Sequence, residues 1–143
     1  MKPDRIFADT NLFLRYLTND IPAQADAVSA LLERAEHGEI VLVTNALVIA
    51  EIVWTLDSYY HLPKTEIEEK LLAVLNTRGI EVIDSEIVLQ AVVQYVEKNV
   101  DFIDAYNVAW MPRHSLTTAY TFDRKHFSRF EGITVVVPTV VPS

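Results

Sequence analysis

The hydrophobic positions of the chain form short continuous runs that are separated by longer stretches with helical spacing. Short apolar runs at residues 5–8, 40–43, 80–83, 116–120 and 133–137 predict five strands. Between these runs, apolar residues recur every three or four positions, which predicts helices. Strands that alternate with helices indicate a parallel sheet covered on both faces. We therefore expect an α/β fold, a three-layer α/β/α sandwich around a central, mainly parallel five-stranded sheet.

Turn and capping residues set the expected helix ends. The predicted helices cover residues 11–19, 23–36, 46–59, 65–76 and 85–98, and a further helix follows residues 99–105 and stops at Pro112. A last irregular helical turn is expected over 127–130. Thr65 and Glu68 match a capping box. The helix over 46–59 is apolar nearly all round, so we expect it to be largely buried.

Composition indicates one domain over residues 1–143 and excludes several classes of protein. The chain has no cysteine, which excludes a disulfide scaffold, a cysteine-ligated zinc site and a thiol nucleophile. This composition fits a reducing cytosol. No signal peptide and no apolar run of about 18 residues is visible, so we expect a cytoplasmic protein outside the membrane.

The net charge of −8 is unfavourable for a protein that binds nucleic acid, because phosphates repel acidic surfaces. However, the stretch from Ala105 to Phe130 contains one acidic residue, Asp123. Two interpretations of this stretch remain open, a solvated surface or a contact for RNA phosphates. Its basic and histidine side chains are Arg113, His114, Arg124, Lys125, His126 and Arg129.

Four acidic residues stand apart from the other Asp and Glu residues. Asp9 ends the first predicted strand, Asp123 follows the fourth, and Asp104 lies near a helix start with Asp101 one turn earlier. Glu51 lies in the apolar helix, where a carboxylate is costly unless it is paired or bound to a cation. Strand ends and helix starts meet at one edge of a parallel sheet, so Asp9 and Asp123 lie there if their strands are adjacent, and Asp104 can face the same edge.

Clustered carboxylates of this kind suit Mg²⁺ or Mn²⁺. The chemistry that uses such a site is phosphodiester hydrolysis by a metal-activated water, which needs no covalent nucleophile. The alternative is structural: Asp9 or Thr10 caps the first helix, Asp104 and Asp123 cap others, and Glu51 is exposed. The chain has no nucleophile elbow, no Gly-rich phosphate loop and no zinc-binding His-Glu-x-x-His helix.

Four motifs in this order resemble the PIN-domain family, in particular the bacterial and archaeal VapC-type toxins. They are Asp9-Thr10-Asn11 after a strand, Glu51 in an apolar helix, Asp104-Ala105 preceded by Asp101, and Thr121-Phe122-Asp123. The resemblance covers nearly the whole chain. The run Met111-Pro112-Arg113 departs from the small residues usual after Asp-Ala, although it removes no acid.

The resemblance implies a Mg²⁺-dependent ribonuclease, with Mn²⁺ as a possible alternative ion. It implies that Asp9, Glu51, Asp104 and Asp123 are catalytic and bind metal. It implies supporting roles for the site in Thr10, Asn11, Asp101 and Thr121. Arg124, Lys125 and Arg129 follow Asp123 closely, so we expect them to hold RNA phosphates, with His126 near the substrate. It also implies an antitoxin partner and a homodimer.

Two other functions remain open at this point. One is a PIN-like module that binds RNA or protein without cutting, which the presence of all four acids disfavours. The other is a different Mg²⁺ phosphohydrolase, which the lack of an Asp-x-Asp motif at the first strand disfavours. Trp54, Tyr59 and Tyr60 are candidates for a dimer or antitoxin surface, and ordinary core packing is an equal alternative for Trp54.

Overall fold

The structure is a computed structural model that describes residues 2–140. Strands and helices alternate as the hydrophobic pattern predicts. The strands are β1 (Asp4–Phe7), β2 (Ile40–Thr44), β3 (Ile80–Val82), β4 (Thr118–Tyr120) and β5 (Thr134–Val136). The helices are α1 (Thr10–Thr18), α2 (Pro22–Glu36), α3 (Ala46–Ser58), α4 (Lys64–Leu75), α5 (Ser85–Glu97), α6 (Phe102–Arg113) and α7 (Arg124–Phe127). The α/β class is therefore confirmed.

The chain divides into two compact units, one up to Leu89 and one from Gln90 onward, so that the division falls within α5. The N-terminal unit contains a parallel sheet of three strands in the order β1-β2-β3. Ile6 lies opposite Leu42, and Leu42 lies opposite Ile80, so the three strands are aligned in one register. This parallel pairing follows from the helical crossovers between successive strands.

The core of the N-terminal unit comes from the central strand and the helices around it. Leu42 of β2 and Ile52 of α3 are almost completely buried, and so is Ile67 of α4. Each side chain of this size stabilises the fold by about 1.5–3 kcal/mol when it is fully buried. The helix starts are fixed locally, since the Asn45 side chain accepts a hydrogen bond from the Val48 backbone N–H at 3.1 Å.

The C-terminal unit contains the parallel pair β4 and β5, in which Ala119 lies opposite Val135. Helix α7 contacts both α6 and β5. Buried Phe127 and Phe130 hold the segment around α7 in place. This unit thus positions a short helix directly after β4.

Several expectations differ from the structure. The last helical turn is α7 at Arg124–Phe127 and does not cover 127–130, because the Asp123 side chain caps the helix three residues earlier. The five strands form one sheet of three and one of two within residues 2–140, not one five-stranded sheet. Pro112 does not stop α6, which continues to Arg113. A proline in the last turn removes only the single hydrogen bond that its own N–H would have made, so the helix continues past it. The capping box at Thr65 is not formed, since α4 begins at Lys64 and its N-cap, Pro63, has no side-chain hydrogen bond to offer.

Helix α3 is also less buried than its composition predicts. It buries Ile49 and Ile52 but leaves Leu47 81% exposed and Trp54 66% exposed. Core packing of Trp54, one of its two possible roles, is therefore wrong. None of the helices within residues 2–140 combines the length and hydropathy that a bilayer crossing requires.

Candidate metal centre

The loop after β4 fixes the carboxylate of Asp123. The Asp123 backbone N–H donates to Thr121 Oγ1 at 2.9 Å. Asp123 is the N-cap of α7, and its Oδ1 accepts a hydrogen bond from the His126 backbone N–H at 3.3 Å. A capping side chain thus starts this helix, as the structural alternative predicted. The same cap orients the carboxylate for any further contact.

Asp104 and His126 lie beside Asp123. Asp104 is in the first turn of α6 and is partly buried. The imidazole Nδ1 of His126 is 2.9 Å from Asp123 Oδ2 and 3.7 Å from Asp104 Oδ2. Ligand atoms of these three side chains all lie within 4.8 Å of one another. Two of the acids predicted from sequence therefore come together in the C-terminal unit.

The two carboxyl groups have opposite pKa shifts. Burial raises the pKa of Asp104, and the negative charges of Asp101 and Asp123 raise it further. The hydrogen bond from His126 lowers the pKa of the exposed Asp123 carboxyl below its ordinary value. Ionised Asp104 is consequently a partly desolvated anion beside like charges. A cation at this position relieves that cost.

The donor set suits a divalent cation. Carboxylate oxygens are hard ligands that Mg²⁺ and Mn²⁺ accept, and imidazole is a ligand for transition ions. Among the residues that the structure describes, this is the one group of at least three His, Asp or Glu side chains with such spacing. The residues present therefore fit a metal ion.

Asp9 and Glu51 lie in the N-terminal unit. Asp9 is exposed at the N-cap of α1, where its Oδ1 accepts a hydrogen bond from the Leu12 backbone N–H at 3.1 Å. The predicted cap is thus present. Glu51 is exposed on α3, together with Leu47 and Trp54, and is not enclosed by apolar side chains. It needs no cation to compensate for burial.

The predicted supporting residues have different environments. Thr10 is buried at the start of α1, and Asn11 is exposed next to it. Asn11 lines a shallow hollow of about 330 Å³ beside Asp9. Asp101 is the N-cap of α6 and makes no side-chain capping hydrogen bond, and its negative charge raises the pKa of Asp104. Thr121 holds the backbone of Asp123, as described above.

The basic residues after Asp123 differ in their contacts. Arg124 and Lys125 are exposed on α7. The Arg129 guanidinium donates to the backbone carbonyls of Lys98 and Asn99. Arg129 is therefore engaged in holding the chain after α5, whereas the two preceding cations are open to solvent.

His126 is the member of the cluster that the sequence motifs did not identify as part of the metal site. We expected it near the substrate, and the structure puts it against both carboxylates. The position of His126 three residues after Asp123 at a helix start is the signal that predicts its contact with Asp123, because such spacing places two side chains on one face. The same spacing occurs in many helices with no ligand.

The aromatic candidates for a protein contact are mainly exposed. Tyr59 is 72% exposed, and its ring packs edge-on against Tyr60 with centroids 4.9 Å apart. The Tyr60 hydroxyl donates to Asp20 Oδ2 at 2.6 Å, which raises the pKa of Tyr60. Trp54 and Tyr59 thus remain candidates for a docking surface.

Comparisons with known proteins identify a family and several similar solved structures. A family model described as PIN domain matches residues 6–133. The chain is similar to the structure of VapC20 from Mycobacterium tuberculosis, described as a toxin that cleaves the sarcin–ricin loop, with 21% sequence identity and a TM-score of 0.39. That alignment covers 86% of this chain and 93% of the other. Comparison with curated proteins found no match. The family match spans residues of both compact units.

Proposed function

Because the chain belongs to the PIN domain family, we propose that it is a Mg²⁺-dependent endoribonuclease. The observation that carries this proposal is the convergence of Asp104 and Asp123. These acids come from separate elements, both were expected to bind metal, and their side chains meet within 4.8 Å together with His126. A scattered set of helix caps does not predict such a meeting.

We propose catalytic, metal-binding roles for Asp9, Glu51, Asp104 and Asp123, and a single domain over residues 1–143. The chemistry that Mg²⁺ would supply when bound is an activated water at neutral pH and stabilisation of the charge on the leaving oxygen. Asp9 and Glu51 are exposed, so their carboxylates are accessible to an ion and substrate. Mn²⁺ is an alternative ion, since it accepts the same oxygen ligands.

The residues of this chain have distinct tasks in the proposed reaction. Burial and the charges of Asp101 and Asp123 raise the pKa of Asp104, and a bound cation would offset this effect by favouring the ionised carboxylate. Thr121 holds Asp123 through the backbone, which keeps the carboxylate oriented. Arg124 and Lys125 provide exposed positive charge next to Asp123 for RNA phosphates. Their positive charge makes the surface beside Asp123 less negative than the net charge of −8 for the whole chain indicates.

We further propose that the protein is a VapC-type toxin of the cytoplasm, a homodimer that a small antitoxin inhibits. This finer proposal depends on the motifs Asp9-Thr10-Asn11, Asp104-Ala105 and Thr121-Phe122-Asp123, which resemble those toxins. The exposed Trp54 and Tyr59 side chains support a protein partner, since exposed aromatic residues are enriched at interfaces.

The test is cleavage of a mixed RNA pool by the purified chain with Mg²⁺, with EDTA, and as the Asp9→Asn variant. Cutting that needs both the metal and Asp9 supports the nuclease. Failure of a folded, antitoxin-free, Mg²⁺-loaded protein to cut opposes it and favours a PIN-like module that binds RNA or protein without cutting. Cutting that survives EDTA and Asp9→Asn points to a contaminant.

A further inference from the structure

A nitrogen donor lies among the acidic side chains of the candidate centre. His126 Nδ1 is within 4 Å of carboxylate oxygens from two different elements, at 2.9 Å from Asp123 and 3.7 Å from Asp104. The His126 side chain is 33% exposed, and that of Asp104 is 20% exposed. The imidazole is therefore part of the cluster and partly screened from solvent.

Local structure holds the imidazole in this position. The His126 backbone N–H donates to Asp123 Oδ1, while Nδ1 contacts Asp123 Oδ2. Both contacts result from one feature, the capping of α7 by Asp123. The next residue, Phe127, is buried and anchors the helix. Nδ1 thus faces the carboxylates of Asp123 and Asp104.

We infer that His126 is a nitrogen ligand of the bound metal and that it shifts the preference of the site from Mg²⁺ toward Mn²⁺. This inference rests on the proposed function, and it deepens it by naming the ion. Mg²⁺ retains oxygen ligands and several waters, so an imidazole adds little to its binding. First-row transition ions accept imidazole, and carboxylates with imidazole form mixed sites for them.

The competing role for His126 is that of a counter-charge. A protonated imidazole between two carboxylates offsets their repulsion and competes with any cation. Removal of such a group raises the affinity for Mg²⁺ and Mn²⁺ by the same factor. Removal of a ligand lowers the affinity for Mn²⁺ selectively. The two roles therefore differ in the ratio of the two dissociation constants.

The first measurement is Mn²⁺ binding by electron paramagnetic resonance, with Mg²⁺ affinity obtained by displacement of Mn²⁺. We expect His126→Ala to reduce the preference for Mn²⁺ over Mg²⁺ by about tenfold. This is the lower end of the loss of metal affinity that mutation of residues around a metal causes. His114→Ala is the matched control, because His114 is exposed in the same unit and stacks on Trp110. It should leave the ratio unchanged.

The second measurement detects the ligand directly and does not depend on the folding of His126→Ala. Pulsed spectroscopy of bound Mn²⁺ should reveal coupling to a histidine ¹⁴N nucleus. The chain has four histidines, so the combined variant His37→Asn, His61→Asn, His114→Asn retains His126 alone. Asn suits position 61, where φ is 56°. This variant should keep the nitrogen coupling.

Each outcome decides the inference. Mn²⁺ that binds without nitrogen coupling, or equal changes in both affinities in His126→Ala, overturns it while Mg²⁺-dependent cleavage leaves the proposed function intact. A wild-type chain that binds neither ion overturns both the inference and the proposed metal site. Nitrogen coupling that persists only with His126, together with the selective loss of Mn²⁺ affinity, supports it.

Discussion

The Asp9 carboxylate caps α1 by accepting a hydrogen bond from the Leu12 backbone N–H at 3.1 Å. This contact uses Oδ1, and the residue is exposed. Capping and metal binding are therefore compatible roles for one side chain. The two roles separate in mutants, since Asn caps a helix as well as Asp but has no negative charge.

Asp9→Asn should keep the stability of the fold within about 0.5 kcal/mol, because the cap is retained. We expect the same change to reduce RNA cleavage by at least about 100-fold. Mutation of residues that only support the metal ligands already reduces metal affinity or activity by about 10–100-fold. Asp9→Ala should lose the activity and also about 1 kcal/mol of stability. Urea unfolding and cleavage assays on both variants test this. Full activity in Asp9→Asn contradicts a metal-binding role.

Glu51→Gln should abolish cleavage without changing stability by more than about 0.5 kcal/mol, because the side chain is exposed. The control is Asp57→Asn, which removes another exposed acid from α3 and should leave activity intact. RNA cleavage and thermal unfolding are measured for both variants. A strongly destabilised Glu51→Gln would instead indicate a structural role that the exposure does not predict.

Asp104→Asn should stabilise the metal-free protein at neutral pH by about 0.5–2 kcal/mol, the usual gain from relieving unfavourable charge. The raised pKa of Asp104 means that the folded chain holds this proton more tightly than the unfolded chain. The contribution of the protonated Asp104 carboxyl to stability is fully present at pH values below its ordinary pKa of 3.8. That contribution is lost as pH rises through the raised pKa of the folded chain. The gain in Asp104→Asn should therefore vanish at low pH.

The measurement for Asp104 is the free energy of unfolding of both chains across pH, with EDTA present. Mg²⁺ should reverse the order, because a cation stabilises wild-type Asp104 and not the amide. A gain that is equal at all pH values would mean that the carboxyl group is not the cause.

Arg124→Ala with Lys125→Ala should weaken RNA binding and reduce its salt dependence, by about 0.7 in the logarithmic slope for each lost phosphate contact. Both residues are exposed, so stability should not change. Binding is measured in an Asp9→Asn background, which prevents cutting. If the double variant bound RNA with unchanged affinity at low salt, the result would show that α7 does not contact RNA.

Arg129→Ala should behave differently, with a loss of about 1 kcal/mol of stability as its main effect. The reason is that its guanidinium donates to the carbonyls of Lys98 and Asn99. Comparison of its unfolding midpoint with that of Arg124→Ala separates the two classes of cation. Equal stability in both variants contradicts a holding role for Arg129.

Gly79→Ala should destabilise the N-terminal unit by more than about 2 kcal/mol, since it combines backbone strain with overpacking. Its φ is +90°, and an added Cβ lies 2.5 Å from the backbone oxygen of Ala35. Gly38→Ala is the matched control: its φ is +79°, but an added Cβ has nothing within 4 Å. It should cost about 1 kcal/mol. Chemical denaturation compares the two.

Much of the local structure follows from the sequence by itself. Hydrophobic spacing identifies the strands and most helices, because the periods of side-chain direction, 3.6 and 2, are properties of the backbone. Asp9 and Asn45 start helices where their side chains can accept backbone N–H bonds. The family motifs also identify Asp104 and Asp123, since their order along the chain requires no knowledge of contacts.

Only the tertiary structure decides which elements meet. The sheets of three and two strands depend on hydrogen bonds between distant segments, and no local pattern specifies those pairs. The exposure of Glu51 and Trp54 depends on which face of α3 finds a partner, while composition alone indicates a buried helix. His126 joins Asp104 because α6 and α7 pack together, so its place beside the carboxylates is a result of packing and not of sequence spacing alone.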